Sequence, residues 1–136
     1  MILTDAGPLI ALLDKRDGCH QICVDALALL PAEPMLTTWP CFTEAMHILG
    51  AVNGYRYQSR LWRFIEGGKL RIHDLTAAEI KKMNALMKKY QDTPMDLADA
   101  SLIVAADSLS FKQIFTIDSD FRFYRLSDDS VLELLP

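Results

Sequence analysis

Four carboxylates interrupt apolar stretches of this sequence. Asp5 follows Met1-Ile-Leu-Thr4, Glu44 lies within Phe42-Thr-Glu-Ala-Met46, Asp99 within Leu97-Ala-Asp-Ala100, and Asp118 follows Ile114-Phe-Thr-Ile117. Nothing positive flanks any of them. An ionised carboxylate in apolar surroundings is costly unless it is paired or binds a metal, so the four positions point to one shared cation site. Oxygen donors without a histidine or cysteine at metal-binding spacing select a hard divalent ion, Mg2+ or Mn2+, over zinc. Such an ion screens phosphate oxygens and activates water, and two ions about 4 Å apart serve both the attacking and the leaving oxygen. Phosphodiester hydrolysis is the chemistry this donor set predicts, with one or two ions.

Several residues stand near these four. Asp96 is three residues before Asp99 and so shares its helix face. It also falls at the third helical position after Thr93, where a carboxylate faces the helix dipole with or without metal. Asp99, between two alanines in an apolar helix, has no such structural reason. Asp118 and Asp120 share the segment Thr116-Ile-Asp-Ser-Asp-Phe121, and aspartate also suits turns on its own account. Thr116 reads either as a β-former or as a hydroxyl supporting a bound water or phosphate. Arg122 and Arg125 follow this loop and Arg16 follows the first helix, so all three are candidates for phosphate contact. Arg56, Arg60 and Arg63 recur at helical spacing and favour a solvated face, which makes Trp62 and Ile65 core residues. Tyr55, Tyr57, Trp62 and Phe64 suit stacking on unpaired bases or packing a partner helix.

The elements that must carry these residues alternate. Met1 to Thr4 is a short strand, and Pro8 fits the first turn of a helix through Asp14. A second helix runs from His20 to Leu30 and is closed by Pro31 and Pro34, before a strand at Met35 to Thr38. Pro40 opens the helix that holds Glu44, which Gly50 or Gly54 ends, and Tyr57 to Ile65 forms the next. Lys69 to Leu75 is a strand, and Thr76-Ala-Ala-Glu79 is a capping box for a helix reaching about Tyr90. Thr93-Pro-Met-Asp96 repeats that logic in front of the helix Leu97 to Leu109. Gln113 to Ile117 is a buried strand and Val131 to Leu135 the last. Helices between the first four strands imply an α/β fold, a mainly parallel sheet with helices on both faces. In such sheets ligands bind beyond the carboxyl ends of the strands, and Asp5 and Asp118 lie just past two of them.

The chain of 136 residues, 51% apolar, fits one domain spanning 1–136, with no repeat or linker-like composition. Its most apolar stretch, Leu97 to Ala106, contains Asp99 and is too short to span a bilayer. The start lacks the basic n-region of a signal peptide, so the expectation is a soluble cytoplasmic protein without membrane contact. Cys19, Cys23 and Cys41 lack zinc-site spacing and read as reduced thiols, and His20, His47 and His73 as surface or packing residues. A net charge of −4 does not exclude nucleic acid, because an acidic site and a basic rim can coexist.

Taken together, Asp5 in an N-terminal strand, Glu44 after Thr43, Asp99 in Met95-Asp-Leu-Ala-Asp-Ala-Ser101, and Thr116-x-Asp118-x-Asp120-Phe121 resemble the PIN domain, in particular the compact bacterial PIN proteins that include VapC-type toxins. The resemblance spans Asp5 to Phe121. It implies a three-layer α/β/α fold with a mainly parallel sheet of four to five strands, and a metal-dependent ribonuclease whose acidic pocket is built from Asp5, Glu44, Asp99 and Asp118. It further implies a homodimer and, in the toxin branch, a cognate antitoxin. Asp96 and Asp120 remain alternates for Asp99 and Asp118. A catalytically silent PIN-like domain binding RNA or protein is the competing reading. A receiver-like phosphoacceptor would need a lysine after the last sheet strands, and residues 115–120 contain none.

Overall fold

A computed structural model describes residues 1–136. The chain runs β1 (Ile2–Thr4), α1 (Ala6–Leu13), α2 (His20–Leu29), β2 (Met35–Thr38), α3 (Trp39–Glu66), β3 (Leu70–His73), α4 (Ala77–Lys89), α5 (Leu97–Leu109), β4 (Gln113–Phe115), a 3-10 turn (Ser119–Arg122) and β5 (Glu133–Leu135). The strands form one five-stranded sheet in the order β3-β2-β1-β4-β5, and every pairing is parallel. The chain winds outward from β1 to β3 and then returns to the other side of β1, so the β1–β4 boundary is where strand order reverses.

Two-residue alternation along the strands divides the core. Leu3 and Ile114 face α5, packing with Ile103, Val104, Phe121 and Tyr124. Ile2 and Phe115 face the opposite way, against Leu9, Leu49 and Leu61 of α1 and α3. With helices on both faces, these strands have no polar side, which explains their apolar runs. Each fully buried Leu, Ile or Phe contributes roughly 2 kcal/mol of transfer free energy. Helix α5 is buried without interruption from Ala98 to Ala106, and its small residues let it lie close on the sheet. That placement brings the start of α5 to the edge where β1 and β4 end.

One local alternative is settled and two expectations change. Asn53 and Gly54 break α3, with Gly54 at φ +58°, so the interruption is at Gly54 rather than Gly50 and the second half resumes directly after it. Trp62 is 40% exposed rather than core, with its ring edge-on to buried Phe42 at 5.2 Å. Arg60 turns inward instead, stacking on buried Tyr57 at 4.6 Å and donating from Nη1 to the Leu13 carbonyl at 3.2 Å. The arginines of this segment therefore do not share one solvated face. All three cysteines are free, as the sequence implied, and no helix is long and apolar enough to cross a membrane.

Candidate metal centre

Asp5 is placed by the sheet and held by three elements. Its backbone N–H donates to the Phe115 carbonyl at 3.0 Å, extending the β1–β4 ladder by one residue. Its side chain then caps α1, with Oδ1 accepting from Ala6 N–H at 2.8 Å. Oδ2 accepts from the Thr116 hydroxyl at 3.1 Å, and Thr116 Oγ1 in turn accepts from Asp118 N–H at 3.0 Å. Thr116 thus links Asp5 with the Asp118 loop. The buried Cys41 thiol lies 3.9 Å from Asp5 Oδ1.

Asp99 departs from expectation in an instructive way. Asp96, not Thr93, is the N-cap of α5, and Asp99 is its third residue. Asp96 Oδ1 accepts from Asp99 N–H at 2.8 Å, and Asp99 Oδ2 accepts from Asp96 N–H at 3.1 Å. The residue with no apparent structural duty is therefore half of a capping box. Asp99 Oδ2 also accepts from the Tyr124 hydroxyl at 3.4 Å. Asp118 caps the 3-10 turn, its Oδ1 accepting from Asp120 N–H at 2.9 Å.

One oxygen from each of Asp5, Asp99 and Asp118 lies within 4.8 Å of the others. No cation answers them: the ion pairs are Met1 with Glu33, Arg16 with Asp14, His73 with Glu79 and Lys112 with Asp128, all outside this group. Hydrogen-bond donors offset part of the burial, but the charges face one another uncompensated. Burial raises the Asp5 carboxyl above its ordinary value, hydrogen bonds from Ala6 and Thr116 oppose this, and Asp118 and Asp96 add to it. Asp99 is pushed up to about 7, first by burial, against the Asp96 N–H bond, and further by Asp96, Asp5 and Asp118. An all-oxygen, net-negative, largely buried donor set fits a hard divalent cation.

The remaining predicted residues divide by distance from this group. Glu44 is exposed and stands apart from the three, although partial burial and then Asp5, Asp96 and Asp118 raise its carboxyl. It lines an open hollow of about 610 Å³ with Trp39, His47, Asp96 and Leu97. Asp96 and Asp120 carry caps and backbone bonds and are not among the three converging acids. Arg122 is exposed; Arg125 is exposed and donates from Nη1 to the Asp129 carbonyl at 3.2 Å. Arg16 lies beyond α1, 3.7 Å from Asp14 Oδ1. None of the three arginines enters the acidic group. Sequence reasoning missed Tyr124, because Phe121-Arg-Phe-Tyr124 reads as ordinary alternation around a core aromatic.

No protein-family model matches the chain. In sequence it is 25% identical over 120 residues to ribonuclease VapC26 of Mycobacterium tuberculosis, covering 86% of each. In fold it is similar to Mycobacterium tuberculosis VapC20, described as a toxin that cleaves the sarcin-ricin loop, with a TM-score of 0.85, 18% identity and full coverage of both chains. It is also similar to VapBC2 of Rickettsia felis, solved bound to a DNA fragment from its promoter, with a TM-score of 0.73, 16% identity and full coverage of both chains. FitAcB of Neisseria gonorrhoeae matches over 88% of each chain with a TM-score of 0.60 and 17% identity. Strand order, acid placement and these likenesses agree with the motif resemblance: the chain has the fold of the VapC-type proteins to which it is similar.

Proposed function

We propose that this chain, as one domain over residues 1–136, is a metal-dependent endoribonuclease acting as the toxin of a toxin–antitoxin pair. The convergence of Asp5, Asp99 and Asp118 without any facing cation carries the reading. These three would hold Mg2+ or Mn2+, with Glu44 on the exposed rim completing the set for a second ion. The bound ion would supply Lewis-acid screening of the phosphodiester and a water that is nucleophilic near neutral pH. Hydrolysis would form a P–O bond from that water and break the P–O3′ bond, the water's proton passing to O3′, so that a 3′-hydroxyl and a 5′-phosphate remain. The chain's own work is positional. The Thr116 hydroxyl and Ala6 N–H fix Asp5, the Asp96 N–H fixes Asp99, and the 3-10 turn fixes Asp118.

Support for the RNA substrate comes from the ribonuclease and the RNA-cleaving toxin that this chain resembles. A toxin–antitoxin complex from Klebsiella pneumoniae, matched over 89% of this chain, supports a protein inhibitor as partner. Exposed Trp39, Trp62 and Tyr55 give α3 an aromatic surface for that partner or for a second copy in a homodimer. Arg122, Arg125 and Arg16 are the chain's candidates for RNA phosphate, and the cytoplasm is the compartment that fits such a substrate. A silent binding module would gain nothing from three costly acids aimed at one another.

The test is cleavage of structured RNA with Mg2+ or Mn2+. Asp5→Asn and Asp99→Asn should each abolish it while melting stays cooperative. Full cleavage by both variants would sink the proposal.

A further inference from the structure

Asp99 must present one particular oxygen to a cation, and two donors settle which. Both donors to its carboxylate reach the same atom: Asp96 N–H at 3.1 Å and Tyr124 O–H at 3.4 Å each donate to Oδ2. Asp99 Oδ1 has no donor in the protein, which leaves it as the oxygen available to the acidic group. Tyr124 is fully buried, and its ring is set edge-on to Tyr90 at 5.2 Å and to Phe121 at 5.4 Å, so its hydroxyl has little freedom. A tyrosine hydroxyl is protonated at neutral pH and can donate.

We infer that Tyr124 is a positioning residue for the cation site, clamping Asp99 Oδ2 so that Oδ1 is turned to the metal. The inference rests on the metal-site reading above. The Asp96 N–H gives the shorter bond, 3.1 against 3.4 Å, but it belongs to a helix terminus, where fraying is ordinary. The Tyr124 hydroxyl comes instead from the segment after the 3-10 turn, and so ties α5 to the Asp118 side of the site. Partners that orient metal ligands typically carry a 10- to 100-fold effect on metal affinity.

The experiment is Mn2+ binding to the full chain, read by calorimetry and by electron paramagnetic resonance of free Mn2+. Tyr124→Phe keeps the ring and removes only the donor. It should weaken Mn2+ binding roughly 10-fold or more, while melting stays cooperative. RNA cleavage should fall at limiting Mn2+ and recover towards the wild-type rate at saturating Mn2+, a shift that a merely structural role would not produce. Tyr90→Phe, whose ring stacks in the same pair but whose oxygen accepts from Arg125 N–H, should bind Mn2+ as wild type does. Should the phenylalanine variant fold poorly, Tyr124→Met fills much of the same space without a donor and should show the same loss. Wild-type Mn2+ affinity in a folded Tyr124→Phe overturns the inference alone. Absence of Mn2+ binding by the wild type overturns the metal site and this inference together.

Discussion

Asp96 and Asp99 cap each other, each side chain accepting from the other's backbone N–H at 2.8 and 3.1 Å. One aspartate of the pair is exposed and the other is buried among acids, so the same hydrogen-bonding pattern serves two purposes. It starts α5, and it delivers a carboxylate to the sheet edge.

That division separates the two residues experimentally. Asp96→Asn retains a capping oxygen and should keep stability and cleavage near wild type, whereas Asp96→Ala should cost about 1 kcal/mol of stability. Asp99→Asn should abolish cleavage. Comparing the melting midpoint and the cleavage rate of the three variants checks this, and loss of cleavage in Asp96→Asn as complete as in Asp99→Asn would make Asp96 a ligand.

The acid group should make the metal-free protein less stable at alkaline pH. Asp5 and Asp99 are both raised on folding, Asp99 from 3.8 to about 7, so the folded state holds protons that the unfolded state releases. Their favourable contribution is fully present below the unfolded value and is lost as pH rises through the folded one. Thermal melts in chelator should therefore show the midpoint falling between about pH 4 and pH 7 from this group. In Asp99→Asn that fall should be reduced, and a melt that is independent of pH in the wild type would argue against it.

Cation binding should reverse the same penalty. Free Mn2+ at about 100 times its dissociation constant should stabilise the folded chain by about 2.7 kcal/mol, and chelator should remove that gain along with all cleavage. Asp5→Asn should show neither the stabilisation nor the cleavage. A melting midpoint unmoved by Mn2+ at concentrations that support cleavage would contradict the assignment.

Most of the fold was legible because its signals are local. The Thr76–Glu79 capping box, the apolar run of β1 and the apolar helix Leu97 to Leu109 appear as read, whereas β4 stops at Phe115, two residues short of the expected Ile117, which is exposed. The alternation of strands and helices was enough for a parallel sheet, and the β1–β4 neighbourhood then brought Asp5 to Asp118. What failed was finer and non-local. The α5 cap moved from Thr93 to Asp96 because aspartate caps as well as threonine, and spacing alone does not rank two overlapping boxes. Trp62 was assigned to the core from the arginine spacing, but Arg60 finds an aromatic face and a carbonyl inside and so turns inward. Tyr124 carried no signal because its role depends on one hydroxyl meeting an atom 25 residues away.

A second capping box offers a control far from the acids in chemistry. Glu79 is buried on α4, accepts from Thr76 N–H at 2.9 Å and meets His73 Nε2 at 2.8 Å. Burial alone would raise its carboxyl, but bonds from Thr76, His73 and Ser108 outweigh that and hold it at about 2. A depressed acid stabilises above its unfolded value of 4.5 and loses that contribution as pH falls towards 2. Glu79→Gln should cost about 2 kcal/mol at pH 7 and progressively less on acidification, with Mn2+ affinity unchanged. Paired thermal melts at pH 7 and pH 3 measure the difference.

The register that pairs Leu3 with Ile114 has a consequence for how the protein comes into being. The neighbour that completes the acidic edge of the central strand is translated more than a hundred residues after it. At 5–20 residues per second that interval is on the order of ten seconds. Throughout it, Asp5 has no Asp118 to face, so a nascent chain on the ribosome lacks the three-acid group.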